Sequence, residues 1–416
     1  MEVIVACCAG LDVHQASVVA CVNSTGRGGR SHKEVRTFGT MRDDLIALRD
    51  WLKDAGVTLV AMESTGVYWK PVYDALEDHF ETIPACAGTV NAQHIKNVPG
   101  RKTDVKDCEW TSDLLRHGLV RPGFVPPRDI RDLRELNRYR RKVAQVQAGE
   151  RNRLIKVLET VGIKLAGVAS DVFGVSGRAM IRALIDGEDT AEAMAELARG
   201  TLRGKRADLA RALDVPLKPH QRFMLRTQLA RIEQAEADLE RIDTMLREMI
   251  APYDNYMGLL MSIPGVEWIN AVTIIAEIGV DMSAFASPAH LASWAGLCPG
   301  NNESAGKKRS GKSRKGNVFL KTALVSAAIS GCRRRGSTYL AEKYRRLTAR
   351  RGKMRAAVAI AHKILVSIWH MLTDGTFYQD LGAGFLDRLD RERTAKHLVR
   401  RLAAMGFDVQ LQEKAA

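Results

Sequence analysis

The chain has 416 residues, 46% of them apolar and only 12 of them proline, which excludes an extended disordered protein and allows two to four domains with cores of their own. Its formal charge of +15 is concentrated in one place: residues 301–363 hold 18 Lys or Arg against Glu303 and Glu342, a net of +16, while the remainder sets 45 basic against 46 acidic residues. Seven cysteines, an odd number with no C-x-x-C spacing, argue against a disulfide framework or a thiolate zinc site and point to reduced thiols in a cytoplasmic protein.

The sequence offers no apolar stretch of membrane-spanning length and no basic n-region of a signal peptide. The basic segment has no lipid anchor beside it, so its charge reads as a nucleic-acid surface and not as a membrane contact.

In chain order, Val3 to Val13 predicts a strand and Ala16 to Val22 its hairpin partner. The turn NSTGRGG leads to a third strand near Val35 to Phe38. A helix is predicted over Met41 to Ala55, a buried strand over Val57 to Glu63, a helix near Tyr68 to Asp78 and a strand in TIPAC. The stretch KTDVKDCEWTSDLLRHG closes the unit as a helix. Three hairpin strands followed by α-β-α-β-α is the order of a ribonuclease-H-like nuclease core, and residues 1–125 are assigned to it.

The Pro-rich RPGFVPP (121–127) marks a boundary. Residues 126–255 read as a helical region with an insertion near 160–220. One long helix starts at Arg128 and a second covers Gln221 to Ile250. Leu225, Leu229, Ile232, Ala235, Leu239, Ile242, Leu246 and Met249 step by three or four along the second, so the two predict an antiparallel coiled coil or an ordinary helical bundle. Residues 256–378 read as a further helical domain. There LLMSIPGVEWINAVTIIAEIG breaks at Pro264-Gly265 in the manner of a helix-hairpin-helix, which puts Gly265 among the phosphate contacts. Helices are predicted over 319–332, 338–350 and 354–372, and residues 379–416 form a tail without a clear signal.

Four carboxylates carry the strongest chemical signal. Asp12 ends an apolar strand in AGLDVHQ, Glu63 ends another in VAMESTG, and Asp104 and Asp107 in GRKTDVKD share one helix face. An acid at the end of a buried strand is costly unless it meets a cation. Four acids converging from two strands and a helix would hold two Mg²⁺ ions, hard cations that take carboxylate oxygens and can serve both oxygens of a phosphodiester displacement. Taken singly, Asp12 reads equally as a turn residue and Asp104 as a helix cap. His14 and His94 read as structural or substrate-contacting groups and not as ligands, and Asp113 as a solvated helix residue.

The run NNESAGKKRSGKSRKGN (301–317) is the second signal. Lys307, Lys308, Arg309, Lys312, Arg314 and Lys315 read as a phosphate grip. Ser304 precedes a run of three cations, and a serine can attack phosphorus if its proton is removed and the developing charge is neutralised. Serines in basic loops more often contact phosphate or solvent.

These stretches are similar to the DEDD transposases of the insertion-sequence one-ten family, known as bridge-RNA-guided recombinases. The resemblance extends to about Tyr378 through GLDVHQ, MESTGVYW, GRKTDVKDCEW, SIPGV, WAGLCPG, SAGKKRSGKSRKGN and RGKMRAAVAIAHKIL. It implies a RuvC-like N-terminal domain with Asp12, Glu63, Asp104 and Asp107 as the metal tetrad. It also implies a C-terminal domain whose serine, best matched by Ser304 before Ala305-Gly306-Lys307, forms a covalent phosphoserine with DNA. Where the family often has a second small or hydroxyl residue this chain has Glu303, so Ser310 and Ser313 stand as alternatives. The resemblance further implies a composite site of metal and serine, a homodimer that pairs into a tetramer through its coiled-coil helices, and an element-encoded RNA that base-pairs with donor and target DNA. A RuvC-like junction resolvase using water as nucleophile is the alternative enzyme. A nucleic-acid-binding accessory protein with an inactive core is the alternative without catalysis.

Overall fold

The run CCAGLDV forms the first strand, β1 (Cys7–Val13), and is buried along nearly its whole length. A strand without polar alternation is one covered on both faces, and the structure bears this out. The computed structural model describes residues 2–26, 30–63, 66–85, 104–120, 123–187, 189–300, 302–304, 307–311, 313, 315–333, 338–389 and 391–410. The chain divides into two units, Met1–Val125 and Pro126–Ala416.

In the first unit β1 is the middle of a five-stranded mixed sheet with β2 (Ser17–Thr25), β3 (Ser31–Gly39), β4 (Leu59–Glu63) and β5 (Glu81–Ala85), in the order β3-β2-β1-β4-β5. The first three strands run antiparallel, while β4 and β5 join parallel to β1. Ala9 and Leu11 point into one core with Val18, Ala20, Val60 and Met62. That core is closed by Leu45, Leu48 and Leu52 of α1 (Arg42–Asp54) and by Val72 and Leu76 of α2 (Trp69–Leu76). The opposite face packs on α3 (Asp104–Arg116) through Cys8, Ala61 and Leu115 and through Val19, Cys21 and Cys108. The strand expected from Val3 begins only at Cys7, because the amides of Ile4 and Val5 donate to the Arg116 carbonyl at the end of α3.

In the second unit α4 (Arg128–Val161) lies against a second long helix, Pro219–Ile250. Arg140 meets Asp243, Gln147 and Arg151 meet Glu236, and Arg231 approaches Glu150, so ascending positions on one helix meet descending positions on the other. The pair is antiparallel. The apolar stripe on the second helix is buried at Leu225, Leu229, Ile232, Ala235, Ile242, Leu246 and Ile250, with Ile250 in place of the expected Met249 and with Leu239 only half-buried. Between them come α5 (Leu165–Val168), α6 (Val175–Asp186), α7 (Ala191–Glu196) and α8 (Arg206–Leu213), which make the Pro219–Ile250 helix α9. This insertion builds its own core from Met180, Ile181, Leu184 and Leu209 against Leu154 and Leu158 of α4 and Leu225 and Leu229 of α9.

The remainder is mostly helical: α10 (Asp254–Met261), α11 (Trp268–Ile278), α12 (Pro288–Trp294), α13 (Val318–Arg333), α14 (Tyr339–Arg351) and α15 (Lys353–Asp374). Contrary to the sequence reading, α15 is long and apolar enough to cross a membrane. Half of its most apolar window is buried within the unit, where it packs on α12, α13 and α14. The tail also differs from expectation, with α16 (Phe385–Leu389) and α17 (Arg391–Ala403) formed in it. Arg346 of α14 reaches Asp387 of α16 at 2.6 Å, a partner that local pattern does not reveal.

Candidate active site

Gly10 decides where α3 sits. A β-carbon there would meet the Cys108 carbonyl oxygen at 2.4 Å and the Ser112 amide at 2.6 Å, so only glycine lets the helix backbone lie directly on β1. Asp12 is two residues further along the same strand and therefore on the same face. The first turn of α3, carrying Asp104 and Asp107, is thereby brought to Asp12. The parallel register Leu11↔Met62 places Glu63 beside Asp12 at the carboxyl ends of neighbouring strands. The two helix acids also lie where the helix dipole favours negative charge.

A polar clamp holds the other half of α3. Asn23, fully buried on β2, donates to Ser112 Oγ (3.4 Å) and Asp113 Oδ1 (3.0 Å) and accepts from Arg116 Nη1 (2.9 Å). Lys33 donates to Asp113 Oδ2 at 2.7 Å. Asp113 is thus a paired anchor between helix and sheet, not the solvated residue expected from its position. Arg116 is 3% exposed and also donates to Thr25 Oγ1 at 2.9 Å. Buried polar groups with partners on two strands fix the helix in one register.

The acids repel one another in this arrangement. Burial pushes the Asp12 carboxyl above its ordinary 3.8, His14 opposes the rise, and Asp104, Asp107 and Glu63 add to it. His14 Nε2 stands 3.4 Å from Asp12 Oδ2 and 3.4 Å from Asp104 Oδ2. Donor atoms of Asp12, His14 and Asp104 all lie within 4.8 Å of one another. The residues fit a divalent cation: the set is rich in hard oxygen donors, and a positive ion would offset the crowding felt at Asp12. His14, expected to be a structural or substrate-contacting group, thus lies among the acids; its signal in the sequence is the D-x-H spacing, which puts both side chains on one side of an extended chain. His94 lies outside the described residues.

The basic run is not the loop expected but a small hairpin, β6 (Asn302–Ser304) and β7 (Lys307–Ser310). Ser304 pairs with Lys307, Glu303 with Lys308 and Asn302 with Ser310, which leaves Arg309 as the extra residue of a bulge. Below it Pro299 and Ser313 form an isolated bridge. Lys321 of α13 donates to Ser313 Oγ (2.9 Å) and to the Gly296 carbonyl (3.0 Å). Ser313, one of the alternative nucleophiles, is therefore engaged by Lys321. Lys315 is exposed, while Lys312 and Arg314 lie outside the described residues.

The run ends at Asn317, whose Oδ1 accepts from the amides of Phe319 and Leu320 at 3.0 Å and so caps α13. Its Nδ2 donates to Glu277 Oε2 at 2.6 Å. Glu277 is fully buried in α11 and accepts a fork from Arg138 Nε and Nη2 at 2.8 and 2.7 Å, while Arg134 donates to the carbonyls of Ala276 and Glu277. A lone acid in the apolar helix WINAVTIIAEI was the overlooked signal for this anchor.

Gly265 has φ +90°, and a β-carbon there would lie 2.2 Å from the Ala327 carbonyl oxygen and 2.4 Å from the Gly331 amide. The turn's amides at Ser262, Ile263 and Val266 donate to Leu259, Leu260 and Ile263. Close packing on α13 requires glycine at this position. One of the cations counted in 301–363 is also spent on an acid outside that run, since Arg346 pairs with Asp387.

Comparison with known proteins gives two family matches. A DEDD-type model described as Transposase matches residues 9–163, and one described as Transposase IS116/IS110/IS902 family matches residues 257–345. The transposase for insertion sequence element IS1111A of Coxiella burnetii (strain RSA 493 / Nine Mile phase I) is 34% identical over 127 residues, 29% of this chain and 34% of that protein. The putative transposase y4pF/y4sB of Sinorhizobium fredii (strain NBRC 101917 / NGR234) is 26% identical over 335 residues, 77% of this chain and 74% of its own. The insertion element IS110 uncharacterized 43.6 kDa protein of Streptomyces coelicolor (strain ATCC BAA-471 / A3(2) / M145) is 35% identical over 127 residues, 29% of this chain and 30% of its own. The chain thus spans about a third of the length of two of these relatives and about three quarters of the other.

Proposed function

This chain belongs to the IS110 family of transposases, and we propose that it cuts and rejoins DNA strands with a Mg²⁺-dependent carboxylate centre and a serine nucleophile. The observation that carries the proposal is the gathering of Asp12, Glu63, Asp104 and Asp107 around one end of β1. The strand order β3-β2-β1-β4-β5, antiparallel then parallel, supports a ribonuclease-H-like, RuvC-type reading of this unit.

Asp12, Glu63, Asp104 and Asp107 would hold the metal, which would supply Lewis-acid stabilisation of charge on the scissile phosphate. Ser304 Oγ forms the new bond to phosphorus and gives its proton to water, while the bond from phosphorus to the strand's bridging oxygen breaks and that oxygen leaves as a hydroxyl, taking a proton from water. One phosphoester replaces another, so the strand can be rejoined by reversal without an external energy source. The pairing of Ser304 with Lys307 supports this role by putting a cation-bearing residue across the hairpin from the attacking group. Lys308, Arg309, Lys312, Arg314 and Lys315 grip the nucleic-acid backbone.

The fuller proposal has an element-encoded guide RNA pairing with donor and target DNA, which leaves sequence readout to base pairing. It has a homodimer that assembles into a tetramer, with α4 and α9 as its coiled coil, working in the cytoplasm. Residues 256–378 form the serine domain and residues 379–416 a tail.

The test uses end-labelled DNA, Mg²⁺, the RNA transcribed from the DNA beside the gene, and full-length protein. Ser304→Ala is expected to abolish a covalent protein–DNA adduct, and Asp12→Ala to abolish strand cleavage. An undiminished adduct in Ser304→Ala would overturn the serine assignment, and free hydrolysed ends in place of adducts would assign the attack to water, as in a resolvase.

A further inference from the structure

The carboxylate tetrad leaves one neighbouring side chain unused. We propose that His14 is a nitrogen ligand of the same centre, joining Asp12 and Asp104, and that it tilts the site's preference from Mg²⁺ toward a divalent ion that also accepts nitrogen, such as Mn²⁺. The inference rests on the metal reading above and adds a ligand to it.

Three observations carry it. The first is geometry. A single atom, His14 Nε2, lies 3.4 Å from an oxygen of Asp12 and 3.4 Å from an oxygen of Asp104. An octahedral ion about 2.1 Å from each ligand sets adjacent ligand atoms about 3 Å apart. A contraction of a few tenths of an ångström along the two histidine edges, with the carboxylate oxygens already within 4.8 Å of each other, would therefore bring these donors toward one face of a coordination shell.

The second is placement. The His14 amide donates to the Ser17 carbonyl at 2.9 Å, which closes the β1–β2 turn and holds the imidazole over the end of the strand. The third is access. The His14 side chain is 48% exposed and that of Asp104 60%, so the outer side of the triangle is open to water and to a phosphate oxygen. Asp12, at 12%, closes the inner side.

Nitrogen donors distinguish ions that oxygen donors alone do not. Mg²⁺ takes oxygen almost exclusively, whereas Mn²⁺, though it too favours oxygen, tolerates an imidazole nitrogen better, and the later transition metals favour one outright. The competing account of the same distances is a protonated His14 that bridges two carboxylates and leaves when a metal arrives.

Electron spin-echo modulation of Mn²⁺ bound to the full-length chain separates the two, because a directly bound imidazole nitrogen modulates the echo. The wild type is expected to show nitrogen modulation. His14→Gln is expected to lose it, to bind Mn²⁺ about tenfold more weakly and to change Mg²⁺ affinity by less than about threefold. Its melting temperature should stay within about 2 °C of wild type, in keeping with a half-exposed turn residue. If Mn²⁺ binding depends on Asp12 but no nitrogen modulation is seen, His14 is not a ligand and the carboxylate centre stands. If Mn²⁺ does not bind, or binds equally well in Asp12→Asn, the metal reading falls and this inference with it.

Discussion

Gly10 and Cys108 stand so close that a β-carbon on the first would lie 2.4 Å from the carbonyl oxygen of the second. The contact is backbone against strand, so no rotamer change can relieve it. Gly10→Ala is expected to destabilise the chain by about 1–3 kcal/mol, the range for overpacking a filled interface. Because α3 carries Asp104 and Asp107, the same substitution is expected to weaken Mn²⁺ or Mg²⁺ binding. Calorimetry in chelator and with added metal checks both, and an unchanged metal affinity would mean that α3 reaches Asp12 without this close approach.

Asp12 carries a cost that its function would explain. Its carboxyl titrates above the ordinary 3.8 because of burial, against the pull of His14, with Asp104, Asp107 and Glu63 adding to the rise. A raised carboxylate value means that stability is greatest below the unfolded value and declines as pH rises through the folded one. At neutral pH the full penalty is present. Asp12→Asn should therefore melt higher than wild type in chelator, and should lose the stabilisation that metal gives the wild type. A lower melting point in chelator would contradict the repulsive arrangement.

Glu277 ties α4, α11 and the start of α13 together through Arg138 and Asn317. Glu277 is fully buried, but Arg138 is 38% exposed, so water can still reach the guanidinium once the carboxylate is gone. Glu277→Ala is expected to cost about 2–3 kcal/mol, the range for charged hydrogen bonds. Asn317→Ala removes a helix cap and is expected to cost about 1–2 kcal/mol. Denaturant titration of the two variants gives the comparison, and equal losses would show that the Glu277 carboxylate contributes no more than the cap.

Glu236 registers the long helices. Burial raises its carboxyl, but hydrogen bonds from Arg178 and Arg151 outweigh that and hold it below its ordinary 4.5. A depressed carboxylate value contributes stability that is complete above 4.5 and is lost as pH falls through the folded value. Glu236→Gln should lower the melting point at pH 7 and leave a smaller difference from wild type near pH 3. A constant gap across that range would remove the ion pairs as its source.

Much of this could be read from the chain because its signals are local. Buried strands announce themselves as unbroken apolar runs, so Asp12 and Glu63 stood out where those runs stop, and the spacing of Asp104 and Asp107 needed only helical periodicity. What escaped depends on remote partners. Asp113 looks solvated until Lys33 and Asn23 are folded over it. His14 gains meaning from Asp104, ninety residues away in sequence. The β6–β7 hairpin escaped for another reason: Lys, Arg, Ser and Gly have little strand propensity and offer no apolar alternation. The apolar run at Val3 misled in the opposite sense, since its amides bond to the end of α3 and not to a strand.

The scatter of the acids along the chain has a consequence for how the protein is made. Asp12, Glu63, Asp104 and Asp107 meet only once α3 has docked on β1, and Ser304 is synthesised almost two hundred residues later. Domains fold as units while the ribosome is still elongating. A nascent or prematurely terminated chain would first possess the acidic cluster without the serine, and before α3 emerges it would possess neither. On the function proposed here, a DNA-breaking protein assembled in that order poses little risk to its host genome until translation is well advanced.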